Sequence, residues 1–344
     1  MHAEQPEILT DLTVSVVIPT CNRKERLLRL LKNLSNLNYP LHEIIIVDSG
    51  EDRVTIEDFK IDNKICIKYL VSEKSVCIQR NSGINEATGE WIFLCDDDIE
   101  VPLDYLQKLF NHIHHHPEAG AVSGLVLQRE AGEWTAKYSL KSTSQLLWKY
   151  IFGLSIWGEI DCPNSWFTIK IKRRYKKKGN YIAKSGWPVI TNFSGEYFLT
   201  PIYGLGASMI RREWLLNSPY DEVLDAHGIG DNYGVAAEFL SHIHVCNTAF
   251  VFHHHAPENR ISASLQYYRR VLALDYFRKR KKQLNMIKKS YLLWSLTGNI
   301  MSFAVTRNLL MLKTTIKLFR IILFNNNPYY SGALQGKKKV SPSL

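Results

Sequence analysis

Along the first 125 residues, hydrophobic positions fall in short unbroken runs separated by stretches of helical spacing. Residues 14–18 (Val-Ser-Val-Val-Ile) form a β-branched run that Pro19 halts, the pattern of a strand buried on both faces. Leu27, Leu28, Leu30, Leu31 and Leu34 then recur on one face of a predicted helix that ends before Pro40. Residues 43–47 predict a second strand, 67–71 a third, 75–87 a helix, and 91–95 (Trp-Ile-Phe-Leu-Cys) a further buried strand. Strands alternating with helices predict an α/β fold with a right-handed, doubly wound, mostly parallel sheet. In such open sheets ligands bind beyond the carboxyl ends of the strands. Thr20, Asp48 and Asp96 each lie just past such an end, so all three are expected on one edge.

Beyond residue 125 the pattern loosens. Residues 128–200 are irregular and rich in aromatics, with a basic knot from Lys170 to Lys178, and read as an insertion carrying acceptor contacts. A solvated loop explains the knot equally well. Order returns with the small-residue segment Gly204 to Ser208, with Tyr220-Asp221-Glu222, and with the stretch Gly228 to Phe239. Residues 248–252 predict a last strand that delivers His253, His254 and His255.

Composition changes this picture little until charge is located. The chain has 344 residues, 45% of them hydrophobic, which excludes wholesale disorder. Its net charge of +10 is unevenly placed. Residues 261–344 hold 16 Lys and Arg against one acid, Asp275, whereas 1–260 hold 27 basic and 32 acidic side chains. A mildly acidic body with a basic tail points to an anionic partner for the tail. No helix-turn-helix, zinc-finger or RNP signature accompanies it, so a phospholipid surface is expected and nucleic acid is not. Six cysteines scattered singly suggest reduced thiols, and Cys21 and Cys95 read as small buried hydrophobes. Acids in the first residues argue against a signal peptide, so a cytoplasmic location is expected.

Asp96, Asp97 and Asp98 carry the chemistry. Three adjacent carboxylates repel one another unless a cation or hydrogen-bond donors compensate, and hard divalent ions bridge carboxylates to phosphates. A polar turn before a helix at Pro102 is the plainer alternative. The apolar strand before the triplet, and Asp48 beside it, favour metal and nucleotide.

The segments VSVVIPTCNRKERL, EIIIVDSG, QRNSGINEATGEWIFLCDDD, YDE, GD and FHHHAP together resemble the inverting family-2 glycosyltransferases of GT-A fold, from about residue 13 to 260. The resemblance implies a catalytic domain over 1–260. Its nucleotide-sugar half spans 13–125 and its acceptor half 126–260. It implies that Pro19, Thr20 and Asp48 cradle the nucleoside, with Asp48 on the base and Arg80 near the base and phosphates. Asp96 and Asp97 belong to the donor site, and Asp98, Asp96 and His253 to a divalent metal, Mg²⁺ or Mn²⁺. Thr20 could instead merely end a strand, and Arg80 pair with a surface acid. Asp231 matches the family's general base, which takes the acceptor's proton in an inverting displacement. Gly230 stands where the family has glutamate. Asp221, Glu222 and Asp225 are rivals, and Asp231 could also cap the helix that follows. The cluster from His112 to His116 ends a helix before Pro117, where imidazolium suits the dipole, and reads as structural.

Gln266-Tyr267-Tyr268-Arg269-Arg270 partly resembles the QxxRW signature of processive polysaccharide synthases, with Arg270 in place of tryptophan. Without that tryptophan and without several membrane spans, a single-addition enzyme is expected. Residues 278–289 hold seven basic side chains, and the apolar run 291–305 falls short of the ~20 residues a span needs. Residues 307–324 set Lys313, Lys317 and Arg320 opposite Leu310, Ile316, Phe319 and Leu323. An interfacial anchor on the inner face of a membrane is one reading, and helices packed back on the body the other.

The expected function is transfer of a sugar from a nucleotide-diphosphate sugar to a glycan or lipid-linked acceptor. A nucleotidyltransferase making nucleotide sugars and a catalytically silent nucleotide-binding scaffold are the alternatives.

Overall fold

The computed structural model describes residues 12–55, 65–130, 132–136, 138–254 and 261–344. Its centre is a mixed sheet built from β1 (Val14–Thr20), β2 (Glu43–Asp48), β3 (Cys66–Val71), β4 (Trp91–Cys95), β5 (Ala121–Glu130), β6 (Tyr197–Thr200), β7 (Ala207–Arg211) and β8 (Ile243–His253). In space they run β6-β8-β5-β7-β4-β1-β2-β3. The half β4-β1-β2-β3 is parallel throughout, as its unbroken apolar runs predicted. β7 enters antiparallel between β4 and β5, while β8 and β5 pair parallel. Thr20 pairs with Asp48 in register, and Asp96 follows directly on β4, which puts all three on one edge.

Helices cover both faces. On one side α1 (Lys24–Leu34) buries Leu27, Leu30, Leu31 and Leu34, and α3 (Tyr105–His115) covers β5 and β8, both joining the cluster that holds Val14, Val16 and Ile18. Each fully buried leucine contributes about 1.5–3 kcal/mol of transfer free energy. On the other side α2 (Val76–Glu86) lies over Val17 and Val47, started by Ser75, whose hydroxyl accepts from the Ile78 amide. Gly83 sits where a Cβ would come within 2.5 Å of the Val17 side chain, so the helix reaches the sheet only without one.

The segment 128–200 is more regular than expected. It forms α4 (Thr143–Phe152), α5 (Trp166–Lys178) and short strand pairs. The basic knot is helix α5 rather than a loop. A Ser165–Thr168 capping box starts it, and Thr168, Ile171 and Tyr175 bury one narrow stripe.

The composition change at 260 does not coincide with a break in packing. α7 (Ala263–Arg280) contributes Val271, Leu272, Leu274 and Phe277 to the same hydrophobic cluster as Val17 and Leu94. Buried Arg269 pairs with Asp225 at 2.8 Å, and Tyr329 donates to the same carboxylate at 2.9 Å. Helices α8 (Lys289–Val305) and α9 (Leu309–Leu323) pack against each other and on α4 and α7. The body-facing side of α9 is Thr314, Thr315, Leu318 and Ile322, whereas Leu310, Ile316 and Leu323 remain exposed. Among the described residues no helix is long and apolar enough to cross a membrane.

Candidate active site

A cleft of about 280 Å³ opens at the sheet edge that the sequence singled out, lined among others by Pro19, Thr20, Arg80, Asp96, Asp98 and Asp231. Its chemistry is organised by two arginines.

Arg80 projects from α2 and is buried. One guanidinium nitrogen donates to Asp96 at 2.7 Å and the other pairs with Asp231. The two carboxylates come from distant elements: Asp96 follows β4, and Asp231 opens α6 (Asp231–Ala236). Arg80 therefore does not meet a surface acid. It also lies over the Tyr220 ring, 5.2 Å from its centroid. Asp96 fits because residue 206 is glycine, where a Cβ would stand 1.9 Å from Asp96 Oδ2.

Arg23, just after β1, plays the second part. It donates to Asp97 Oδ1 at 2.6 Å, and the Thr20 hydroxyl donates to Asp97 Oδ2 at 2.8 Å. Burial pushes the Asp97 carboxyl up to about 6 against both partners. Each of its oxygens thus has one partner within the protein, and the residue still lines the cleft. Asp97, expected among the donor ligands, fastens the β1 and β4 ends together.

Asp98 faces His253 at the end of β8, with 3.2 Å between Oδ1 and Nε2. The backbone holds this register, since the His254 amide donates to the Asp98 carbonyl at 2.8 Å. Among the described residues no three His, Cys, Asp or Glu side chains are grouped to hold a metal. Asp96, expected among the metal ligands, is paired with Arg80, and Asp98 and His253, also expected there, face each other beside it. Hard oxygen and imidazole donors suit Mg²⁺ or Mn²⁺, which complete their shell with phosphate and water. His255 lies outside the described residues.

Asp48 shares the edge but not the cleft wall. It accepts from the Gly50 amide at 2.7 Å and from the Tyr69 hydroxyl at 2.6 Å, which shapes the turn after β2. Gln79, which the sequence reading passed over, donates to the carbonyls of Thr20 and Val47, both at 2.7 Å, and so ties α2 to both strand ends.

Asp231 is, with Asp97, a buried acid of the cleft. Burial pushes it up to about 6, opposed by Arg80 and by the Asn232 amide, which donates at 2.6 Å. It is the first helical residue and not the cap, a position taken by Gly230 at φ +97°. That left-handed backbone favours glycine, and a Cβ there would stand 3.0 Å from Ala273 of α7. The glycine that replaces glutamate thus has a local cause. None of the rival acids lines the cleft. Asp221 binds Lys281, Glu222 binds Asn81 and Lys338, and Asp225 is buried against Arg269 and Tyr329. Burial would raise Asp225, but hydrogen bonds from His227 and Tyr329 and the charge of Arg269 hold it low.

Two remaining expectations divide. His112 packs on His244 and Tyr197 away from the cleft, as the structural reading expects, but burial lowers it to about 4, so the ring is neutral and not the imidazolium expected at this helix end. Cys95 is buried as expected, whereas Cys21 lines the cleft wall.

Residues 15–215 match Glycosyl transferase family 2, which is more than half of the chain. The chain belongs to that family. Curated relatives of this family-2 chain include an uncharacterized glycosyltransferase, YwdF, of Bacillus subtilis, 33% identical over 33% of this chain and 44% of its own. Another is the GalNAc(5)-diNAcBac-PP-undecaprenol beta-1,3-glucosyltransferase of Campylobacter jejuni, 29% identical over 37% of this chain and 42% of its own. The chain spans less than half the length of the curated relatives it matches. Among solved structures, S. aureus TarS 1–349 in complex with UDP-GlcNAc superposes with a TM-score of 0.54 at 12% identity, over 95% of this chain and 93% of that one. The mannosyltransferase PcManGT from Pyrobaculum calidifontis, in complex with GDP-Man and Mn²⁺, gives 0.51 at 14% identity, over 91% and 88%. At these identities the likeness is one of fold, which is GT-A.

Proposed function

We propose that this chain transfers a sugar from a nucleotide-diphosphate donor to a glycan or lipid-linked acceptor, with inversion. The observation that carries the reading is the single cleft in which Arg80 joins Asp96 to Asp231 while Asp98 and His253 face each other alongside. The donor's diphosphate lies toward Arg80, Asp98 and His253, and the nucleoside toward Pro19 and Thr20. Asp48 supports that end by shaping the turn after β2. Asp98 and His253 would hold a divalent ion, and such an ion would supply stabilisation of the charge that builds on the leaving diphosphate. The acceptor oxygen bonds to the donor's anomeric carbon as the bond to the diphosphate breaks with its electron pair. Asp231 takes the hydroxyl proton. Relatives support the reading: the Campylobacter enzyme is named for an undecaprenol-linked acceptor, and the two solved relatives hold UDP-GlcNAc or GDP-Man. Family membership leaves the nucleotidyltransferase alternative without support.

Thermal shift with UDP, GDP, dTDP and CDP, each with Mn²⁺, Mg²⁺ or EDTA, tests it. At a hundredfold excess over its dissociation constant a ligand adds about 2.7 kcal/mol. One nucleotide is expected to raise the transition with metal and not with EDTA, and Asp98→Ala to abolish the difference. Equal shifts with metal and EDTA would remove the metal from the account.

The same proposal places the chain on the inner membrane face through residues 261–344. Val305, Leu309, Leu310 and Phe324 are between 61% and 82% exposed along the α8–α9 edge, beside exposed Lys313, Lys317 and Arg320. Apolar side chains flanked by cations suit an anionic lipid surface. Co-sedimentation with phosphatidylglycerol vesicles is expected, little with phosphatidylcholine, and Val305→Glu with Leu309→Glu should release the protein. Binding unaffected by that pair would dismiss this edge.

A further inference from the structure

A second histidine, His227, lines the cleft on the loop that leads to Asp231. Its side chain is 31% exposed, whereas that of Asp225 behind it is fully buried. Both oxygens of Asp225 have donors. Oδ1 accepts from the His227 amide at 2.9 Å and from Arg269 of α7 at 2.8 Å. Oδ2 accepts from Tyr329 of α10 (Pro328–Leu334) at 2.9 Å. The backbone closes the same turn, since the Gly228 amide donates to the Asp225 carbonyl at 2.8 Å. The Val76 amide docks the turn on the start of α2 by donating to the Ala226 carbonyl at 3.1 Å. A buried carboxylate satisfied on both oxygens fixes its neighbours, because releasing it would strand a charge away from water.

The Nδ1 edge of the His227 ring faces this network, 3.4 Å from both Asp225 Oδ1 and Arg269 Nη1. The Nε2 edge is left to the cleft. Its place along the cleft follows from Gly228, where a Cβ would stand 3.1 Å from Asp231 Oδ2. His227 thus sits at the end where Arg80 pairs with Asp231, the end to which the proposed function assigns the diphosphate.

What Nδ1 does decides what Nε2 can offer. A neutral ring whose Nδ1 accepts from Arg269 carries its proton on Nε2. A charged ring carries protons on both nitrogens and gives the one on Nδ1 to Asp225. Both states present Nε2–H to the cleft. An ionised phosphate has acceptors and no donor, so it selects these two states over the tautomer whose Nε2 is bare.

We propose that His227 is a donor-binding residue whose Nε2–H bonds a phosphate oxygen of the nucleoside diphosphate. The inference rests on the transferase reading and adds to it a residue outside the motifs that the sequence singled out.

Titration of the full chain in Mg²⁺, followed by ligand-observed NMR, tests it. The probes are UDP, GDP, dTDP and CDP and the nucleoside of each. For the diphosphate that the parent binds, His227→Ala should weaken binding by about tenfold, as loss of a hydrogen bond to a charged group implies, and leave its nucleoside within about twofold. His227→Gln, which keeps an N–H donor at similar reach, should recover part of the loss. Matching melting curves show that both variants fold. Diphosphate binding that His227→Ala leaves unchanged would overturn this inference alone. An equal loss for the nucleoside would also overturn it, because the contact would then lie off the phosphates. A parent chain that binds none of the four diphosphates would overturn the transferase reading and this inference together.

Discussion

Asp231→Asn is expected to lower sugar transfer by about 10²–10⁴-fold, the contribution of a positioned general base, while nucleotide affinity stays near that of the parent. The amide keeps the side chain's shape and can still accept from Arg80 through its oxygen, but it takes no proton. The parent's rate should fall as pH drops below about 6, the value to which burial raises this carboxyl from the usual 3.8. The sign follows from the role: the base works deprotonated, so acid removes the active form. Asp97 is raised to about 6 as well. Its protonation would loosen the Arg23 and Thr20 clamp and so weaken nucleotide binding. Affinity measured across the same pH range therefore separates the two acids. A rate for Asp231→Asn within threefold of the parent would remove Asp231 from the mechanism.

Arg80→Met carries the largest expected cost in stability, about 3–5 kcal/mol, as for other buried ion pairs broken from one side. The side chain is 6% exposed and its partner Asp231 is 10% exposed, so that carboxylate would be stranded without solvent. Asp96 is 36% exposed and its share is screened by water, so most of the loss belongs to Asp231. Denaturant unfolding should show a lower midpoint with little change in slope. Adding Asp231→Asn should recover part of the loss, because the stranded charge is gone. A cost below about 1 kcal/mol, small for a buried pair, would mean that Arg80 does not hold Asp231.

How far the sequence carried depended on what each feature needed. β1, β2 and β4 were legible because strands buried on both faces are written in unbroken Val, Ile, Leu and Phe, and their ends located Thr20, Asp48 and Asp96. The partners of those residues were not legible. Arg80 lies 16 residues from Asp96 and 151 from Asp231, and only the tertiary fold shows that it spans both. Asp97 and Asp98 are adjacent and both lie near Arg23, yet Asp97 takes its close hydrogen bond while Asp98 faces His253, a division that spacing alone does not fix. α5 was hidden because its three buried side chains are diluted among lysines and arginines. α7 was read as part of a tail because its buried face includes Arg269 and Asp275, whose partners Asp225 and Asn327 lie far off in sequence. Arg270 was noticed only as a departure from a motif.

Release of nucleoside diphosphate from donor sugars tests the central claim most directly. The chain would be incubated with UDP- and GDP-sugars and Mn²⁺, with and without geranyl-phosphate-linked sugar as acceptor. The account predicts release from at least one donor, faster with acceptor, stopped by EDTA and by Asp98→Ala, and strongly slowed in Asp231→Asn. Tight nucleotide binding with no release from any donor would contradict it, and would leave a nucleotide-binding scaffold in its place.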